Sequence, residues 1–222
     1  IFMQKNGRRY SWSETYIEES KAPYGTYVIH QLLQDYFPEE GLQNLSKSVG
    51  ESFGDSITSG NYVFIGESMF LDSANIASLL NYVQEGNTAF ISSKTIPYDL
   101  MIKLYNLECN YVPWRDYDVL SDTTVNFNFL HSQLQNEKGF SYKFLDENKP
   151  ADYGWNYIDS AYFCEEPHSL IQLGTINNQV NFAKKEYGSN GGIFYLHTTP
   201  INFTNLNMLP QKGIAYANKV FS

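Results

Sequence analysis

Two short apolar runs, Tyr62-Val63-Phe64-Ile65 and Thr88-Ala89-Phe90-Ile91, frame a helical repeat and constrain this chain more than any other feature in it. Each run is continuous, as expected of a strand covered on both faces. The first stops at Gly66 and the second at Ser92-Ser93. Between them Ile76, Leu79, Leu80 and Val83 recur at helical spacing, with Asp72 or Ser73 placed to cap the start and Gly86 to end the helix. Two buried strands joined by a helix of about three turns form a βαβ unit, whose crossover is right-handed.

The expected architecture follows from that unit. It is a single α/β domain over residues 1–222, a three-layer sandwich with a mainly parallel central sheet. Ahead of it, Pro23-Tyr24-Gly25 opens a helix carrying Tyr27, Val28, Leu32, Leu33 and Tyr36, ending before Pro38. Residues 98–106 predict another helix, with Leu100, Met101, Leu104 and Tyr105, and residues 212–221 a closing one. From about 109 to 185 the pattern changes to short alternating runs. These are Val125–Phe129, Ser141–Phe144, Ser169–Leu173 and Gln179–Phe182, separated by turn residues. They predict antiparallel strands beside the α/β core, or a β-rich insertion or extension of it. Gly191-Gly192 then leads into another buried strand, Ile193-Phe194-Tyr195-Leu196.

With 42% hydrophobic and 18% charged residues in 222, the chain has material for one sizeable core. Its net charge of −9 disfavours polyanions, and the clusters Lys5–Arg8–Arg9 and Lys184–Lys185 are too small to reverse that, so nucleic acid is not an expected partner. Cys109 and Cys164 stand far apart, outside any CxxC spacing, and read as buried thiols more readily than as a disulfide. No run approaches the roughly 20 apolar residues that span a bilayer. The start, Ile1-Phe2-Met3, has neither initiator Met nor signal peptide, so the expectation is a piece of a longer protein.

The candidate chemistry is sparse. His30, His131, His168 and His197 have no ligand partner at metal-binding spacing, so neither a metal nor a cofactor is expected. Gly86, Gly188, Gly191 and Gly192 form no phosphate-cradling motif. The pairs Glu39-Glu40 and Glu165-Glu166 are neighbours in expected loops and do not make a carboxylate pair across a cleft. His197 is better placed, at the carboxyl end of a buried strand, where α/β sheets bind ligands. Gly66, Glu67, Ser92 and Ser93 occupy equivalent ends, so a serine could meet His197 there. No G-x-S-x-G elbow supports a nucleophile, and Lys94-Thr95 follows Ser93. Trp114, Tyr117, Trp155, Tyr157, Tyr162 and Phe163 could stack on a sugar or fill a core, and aromatics mostly go to burial.

Several stretches carry a family likeness. They are Trp12 with Tyr16, Lys21 to Tyr27 with Leu32-Leu33, Asn61 to Gly66, Leu79 to Val83 with Glu85-Gly86-Asn87, and Ile91-Ser92-Ser93. Gly191-Gly192, Leu196-His197-Thr198-Thr199-Pro200 and Phe203-Thr204-Asn205 complete the set. Together they resemble the bacterial domain-of-unknown-function family numbered 4350 (DUF4350), especially its Bacteroidetes-type members. The resemblance implies a class I glutamine amidotransferase-like, flavodoxin-like fold, as in related gliding-motility and intraflagellar-transport domains. It also implies membrane anchoring, with the domain on the extracytoplasmic (periplasmic) face, and genes beside those of MoxR-type ATPases and von Willebrand-like proteins.

Carried over residue by residue, the amidotransferase nucleophile falls on Ser92 or Ser93 in place of cysteine. Its histidine falls on His197, and its orienting glutamate on Thr199. A histidine without that carboxylate lacks the partner that fixes its tautomer. The expected function is therefore a non-catalytic extracytoplasmic domain that binds a protein partner or ligand at Gly66, Glu67, Ser93, His197 and Thr199. That partner could come from a neighbouring MoxR-type ATPase gene. A glycan- or small-ligand-binding module and a residual serine hydrolase using Ser93 with His197 are the alternatives.

Overall fold

The computed structural model describes residues 10–38, 41–45, 47–53, 59–104, 118–163 and 170–221. Its helices are α1 (Tyr27–Tyr36), α2 (Val49–Ser52), α3 (Ser73–Gln84), α4 (Tyr98–Leu104), α5 (Asn205–Met208) and α6 (Gln211–Phe221). Its strands are β1 (Asn61–Ser68), β2 (Thr88–Thr95), β3 (Asp118–Asp122), β4 (Thr124–Phe129), β5 (Phe140–Lys143), β6 (Leu145–Asp146), β7 (Lys149–Pro150), β8 (Tyr153–Tyr157), β9 (Ile171–Ile176), β10 (Gln179–Tyr187) and β11 (Gly192–His197).

The βαβ unit forms from β1, α3 and β2. The two strands pair in parallel, with Asn61 opposite Thr88 and Gly66 opposite Ser93. Asp72 caps α3 by accepting from the Asn75 N–H at 2.8 Å, a contact that stabilises a helix start by about 1 kcal/mol. Gly86 ends it with φ +99°, in the left-handed region that favours glycine. The apolar face of α3, Ile76, Leu79, Leu80 and Val83, packs on Ala89, Ile91, Phe194 and Leu196 from the sheet. β11 lies on the other side of β2, again parallel, with His197 opposite Ser92.

The rest of the sheet departs from expectation. It is mixed and curled, with seven strands in the order β1-β2-β11-β10-β9-β4-β5. Among the described strands only the β1–β2 and β2–β11 pairings are parallel. The β10–β11, β9–β10, β4–β9 and β4–β5 pairings are antiparallel. The expected three-layer, mainly parallel, flavodoxin-like sandwich is therefore corrected. So is the picture of a β-rich insertion beside a separate core, because β4, β5, β9 and β10 continue the central sheet.

Turn chemistry is the reason. Between β9 and β10 the chain reverses at Asn177-Asn178, both with positive φ (44° and 70°). Two left-handed residues in a two-residue loop match the strand twist and return the chain as a hairpin. Between β10 and β11, Gly188 and Gly191 take φ of 76° and 80° at another tight return. Returns this short permit antiparallel pairing only.

Two apolar layers cover the sheet. One is the α3 and α4 side. The other is aromatic, built on Phe90, Phe127, Phe129, Tyr142, Phe182, Phe203 and Tyr216 under α1 and α6. The remaining strands form two small sheets, β3–β8 and β6–β7. Trp155 of β8 is fully buried and donates its indole N–H to the Asp122 carbonyl at 2.8 Å. Cys109, Cys164, Trp114, Tyr117, His168, Tyr105, Glu39-Glu40, Glu165-Glu166 and Lys5–Arg8–Arg9 lie outside the described residues.

Gly192 starts β11 against the end of α3, where an added Cβ would lie 1.8 Å from the Val83 carbonyl oxygen. Gly191 next to it has open space around it and only its φ of +80° to protect. Gly192→Ala is expected to cost about 3 kcal/mol by overpacking, and Gly191→Ala about 1 kcal/mol of backbone strain. Urea unfolding of the two variants measures the difference, and equal costs would refute this account of the α3–β11 contact.

Candidate functional site

Alternation along β2 decides which serine meets the histidine. Phe90, Ser92 and Lys94 point to one face, and Ile91 and Ser93 to the other. Ser92 Oγ lies 2.9 Å from His197 Nδ1. Ser93 Oγ donates instead to the Thr95 carbonyl at 2.8 Å, with the Glu67 carbonyl 3.2 Å away. The structure thus brings Ser92 and His197 together and directs Ser93 to the backbone of its own strand end.

The histidine is held on both ring nitrogens. The backbone N–H of Thr199 lies 3.4 Å from Nδ1. An N–H can only donate, so we assign Nδ1 as acceptor, with Ser92 donating to it as well, and place the ring proton on Nε2. That proton faces the Tyr216 hydroxyl, 2.9 Å away on α6. Asn181 of β10 places its amide nitrogen 3.1 Å from Thr199 Oγ1 and donates to it. Around the ring stand Phe203, Phe182 and Phe90, with centroids at 5.1, 5.6 and 6.2 Å.

Burial sets the chemistry of this cluster. Ser92 and His197 are 0% exposed, and Thr199 is buried with them. Desolvation pushes the His197 pKa down to about 3, so the ring is neutral across the physiological range and a feeble base. Desolvation also raises the Tyr216 hydroxyl well above its ordinary value. The turn Pro200–Phe203 and α6 close over the pair with side chains of the aromatic core. What the arrangement does is fasten β2, β11, the turn after β11 and α6 to one ring.

The other expected site residues lie elsewhere. Gly66 is buried at the end of β1, opposite Ser93. Glu67 is exposed and reaches Lys94 Nζ at 3.3 Å. Lys94 also pairs with Glu14 at 2.8 Å and lies over the Tyr153 ring, 4.9 Å from its centroid. Glu14 accepts from the Tyr153 hydroxyl at 2.9 Å and from the Tyr16 hydroxyl. This network pins the segment before α1 across the ends of β2 and β8. Among the described residues no three His, Cys, Asp or Glu side chains cluster to hold a metal ion. Among them, too, no helix is long and apolar enough to cross a membrane.

One feature at the strand ends was not anticipated. Beyond β1 and β2, Met69, Phe70, Leu71 and Asp72 face Thr95, Ile96, Pro97 and Tyr98 across a groove of about 530 Å³. The Met69 N–H donates to the Thr95 carbonyl at 3.0 Å, which holds the two walls in register. Met69 and Ile96 are buried in its floor, whereas Phe70 is 89% exposed. The signal in the sequence is the apolar triplet Met69-Phe70-Leu71, set where a strand end ordinarily turns polar.

No family model matches the chain, and no curated protein matches it. Among solved structures, the chain is similar in fold to the mmIFT52 N-terminal domain, with a TM-score of 0.52 and 10% sequence identity. The match covers 86% of this chain and 87% of that one. The likeness is to a domain of that kind and not to a parallel-sheet flavodoxin-like fold. At that identity it speaks for the fold alone.

The depressed His197 pKa makes a signed prediction. Unfolded, the ring titrates near 6.5, and folded at about 3. Below the unfolded value the unfolded chain takes up a proton that the folded chain refuses. The stability contribution is therefore full above pH 6.5 and is lost as pH falls toward 3, by about 1.4 kcal/mol per pH unit. In urea unfolding over roughly pH 7 to 4, the stability gap between wild type and His197→Gln should narrow steadily. A pH-independent gap would show that the folded ring takes up a proton as readily as the unfolded one. Tyr216→Phe, which removes the nearer acceptor of the Nε2 proton and leaves only the Thr199 hydroxyl at 3.4 Å, should cost about 1–3 kcal/mol at neutral pH.

Proposed function

We propose that this chain is a non-catalytic binding domain whose apolar groove beyond β1 and β2 receives a segment of a partner protein. The observation that carries the reading is Phe70, an aromatic side chain left 89% exposed above a floor of buried Met69 and Ile96. Exposed apolar surface gathered around a concavity is the usual mark of a recognition site. Exposed carboxylates stand near it, on Glu67, Asp72 and Asp99. The occupant that fits is an apolar or aromatic anchor flanked by lysine or arginine, drawn in by a chain of net charge −9.

Glu67 and Ser93, expected to bind ligand, border the same strand ends, whereas His197 and Thr199 are enclosed in the aromatic core. A hydrolase is disfavoured because Ser92–His197 is sealed from solvent and desolvation leaves its histidine too feeble a base to activate the serine. A glycan surface loses Trp155, which is 0% exposed, while Trp114 lies outside the described residues. The membrane-anchored, extracytoplasmic setting and a partner from a neighbouring MoxR-type ATPase gene rest on the family resemblance and complete the proposal.

A photo-crosslinking residue placed at Phe70 tests it in cells that make the full-length protein. A discrete adduct is expected at Phe70 and not at the control site Val119, which is 56% exposed. Equal labelling at both, or none at either, would overturn the reading. With the captured partner purified, Phe70→Ala should weaken binding by about 2 kcal/mol or more. The same change should alter the stability of the free domain by no more than about 0.5 kcal/mol.

A further inference from the structure

A group of unpaired polar atoms lies deep in the molecule, behind the His197 ring. Asn181 Oδ1 and both amide atoms of Asn202 are buried and make no hydrogen bond of good geometry among the described residues, although the Asn202 amide approaches the Tyr216 hydroxyl. Both residues are 0% exposed. They converge on one spot. Asn181 directs its amide nitrogen to Thr199 Oγ1 at 3.1 Å and lies 3.4 Å from His197 Nε2. Asn202 sits one turn after Thr199, its N–H donating to the Thr199 carbonyl at 3.1 Å. Both amides stand beside the Tyr216 hydroxyl, opposing the effect of its burial.

A fully buried amide without partners is costly, and native proteins rarely leave such a group unmatched. The inventory of unpaired atoms identifies what would match it. Two carbonyl oxygens ask for donors, and the Asn202 NH2 asks for an acceptor. A cation would satisfy the oxygens and repel the NH2, and an anion would do the reverse. Water donates and accepts, and it is the usual occupant of buried polar sites.

We propose that Asn181, Asn202 and Tyr216 form an internal hydration site holding long-lived water that completes the His197 network. The Tyr216 hydroxyl accepts the Nε2 proton of His197 and passes its own proton on as a donor to the water. The chain then runs from Ser92 through His197 and Tyr216 to water and the two amides, linking β2, β11, β10, the turn after β11 and α6. This inference is independent of the groove and of its proposed partner.

A crystal structure of the wild-type protein at a resolution that shows waters tests it directly. Ordered water bonded to Asn202 Nδ2 and Asn181 Oδ1 is expected. Density that is empty, or that shows Asn202 turned to bond directly with Asn181 or Tyr216, would overturn it. In solution, oxygen-17 relaxation dispersion counts long-lived internal waters, and Asn202→Leu should lower that count. An unchanged count in the folded variant would overturn the proposal as well. Should the variant not fold, the wild-type density decides.

Discussion

The hydrogen bond between Ser92 and His197 depends on the parallel register of β2 and β11, and much of the structure depends in turn on that bond. It ties the last residue of β11 to its neighbour in β2 at 2.9 Å. The same ring then holds Tyr216 of α6 through its other nitrogen. Neighbouring aromatics exclude water from all three, so each hydrogen bond is strong because its alternative is a buried unpaired group. A neutral imidazole serves here where a charged one would not. It offers one donor and one acceptor in opposite directions, which suits a bridge between a serine and a tyrosine.

Much of this was legible in the sequence, and the limits have physical causes. The continuous runs Tyr62–Ile65 and Thr88–Ile91 predicted strands covered on both sides; β2 is such a strand, whereas β1, its parallel partner at the sheet edge, is only half-buried. The spacing in Tyr27–Tyr36 likewise predicted α1. The alternation in Val125–Phe129 identified a half-buried strand but could not say which sheet it joins, since alternation reports burial and not partners. Its partners are β5 and β9, and the hairpin at Asn177-Asn178, which folds β10 back on β9, joins these strands to the central sheet. A mainly parallel sheet was an extrapolation from the first three elements to a chain whose later turns are hairpins.

The site shows the same division. His197 and a serine at neighbouring strand ends could be paired from topology alone. Ser92 and Ser93 could not be separated, because adjacent residues face opposite sides and only the register tells which side carries the histidine. Tyr216, Asn181 and Asn202 come from three other elements, so no local motif announces them. Phe70 did leave a trace, since an apolar triplet seldom follows a strand at its solvent-facing end.

The two strand-end regions differ in what they leave available for recognition. At β2–β11 the Ser92, His197 and Tyr216 side chains are spent on one another inside the core, and a buried ring at pKa about 3 is too weak a base to take a proton from a substrate. Lys94 is likewise committed, to Glu14 and Glu67. What remains accessible beyond β1 and β2 is mostly apolar: Phe70, Leu71 and Pro97, beside Asp72 and Thr95. Binding there draws on burial of apolar area, with charge contributing direction more than strength. A sheet of this kind can therefore retain the layout of an α/β ligand site while its polar residues serve the core and its recognition shifts to an exposed aromatic.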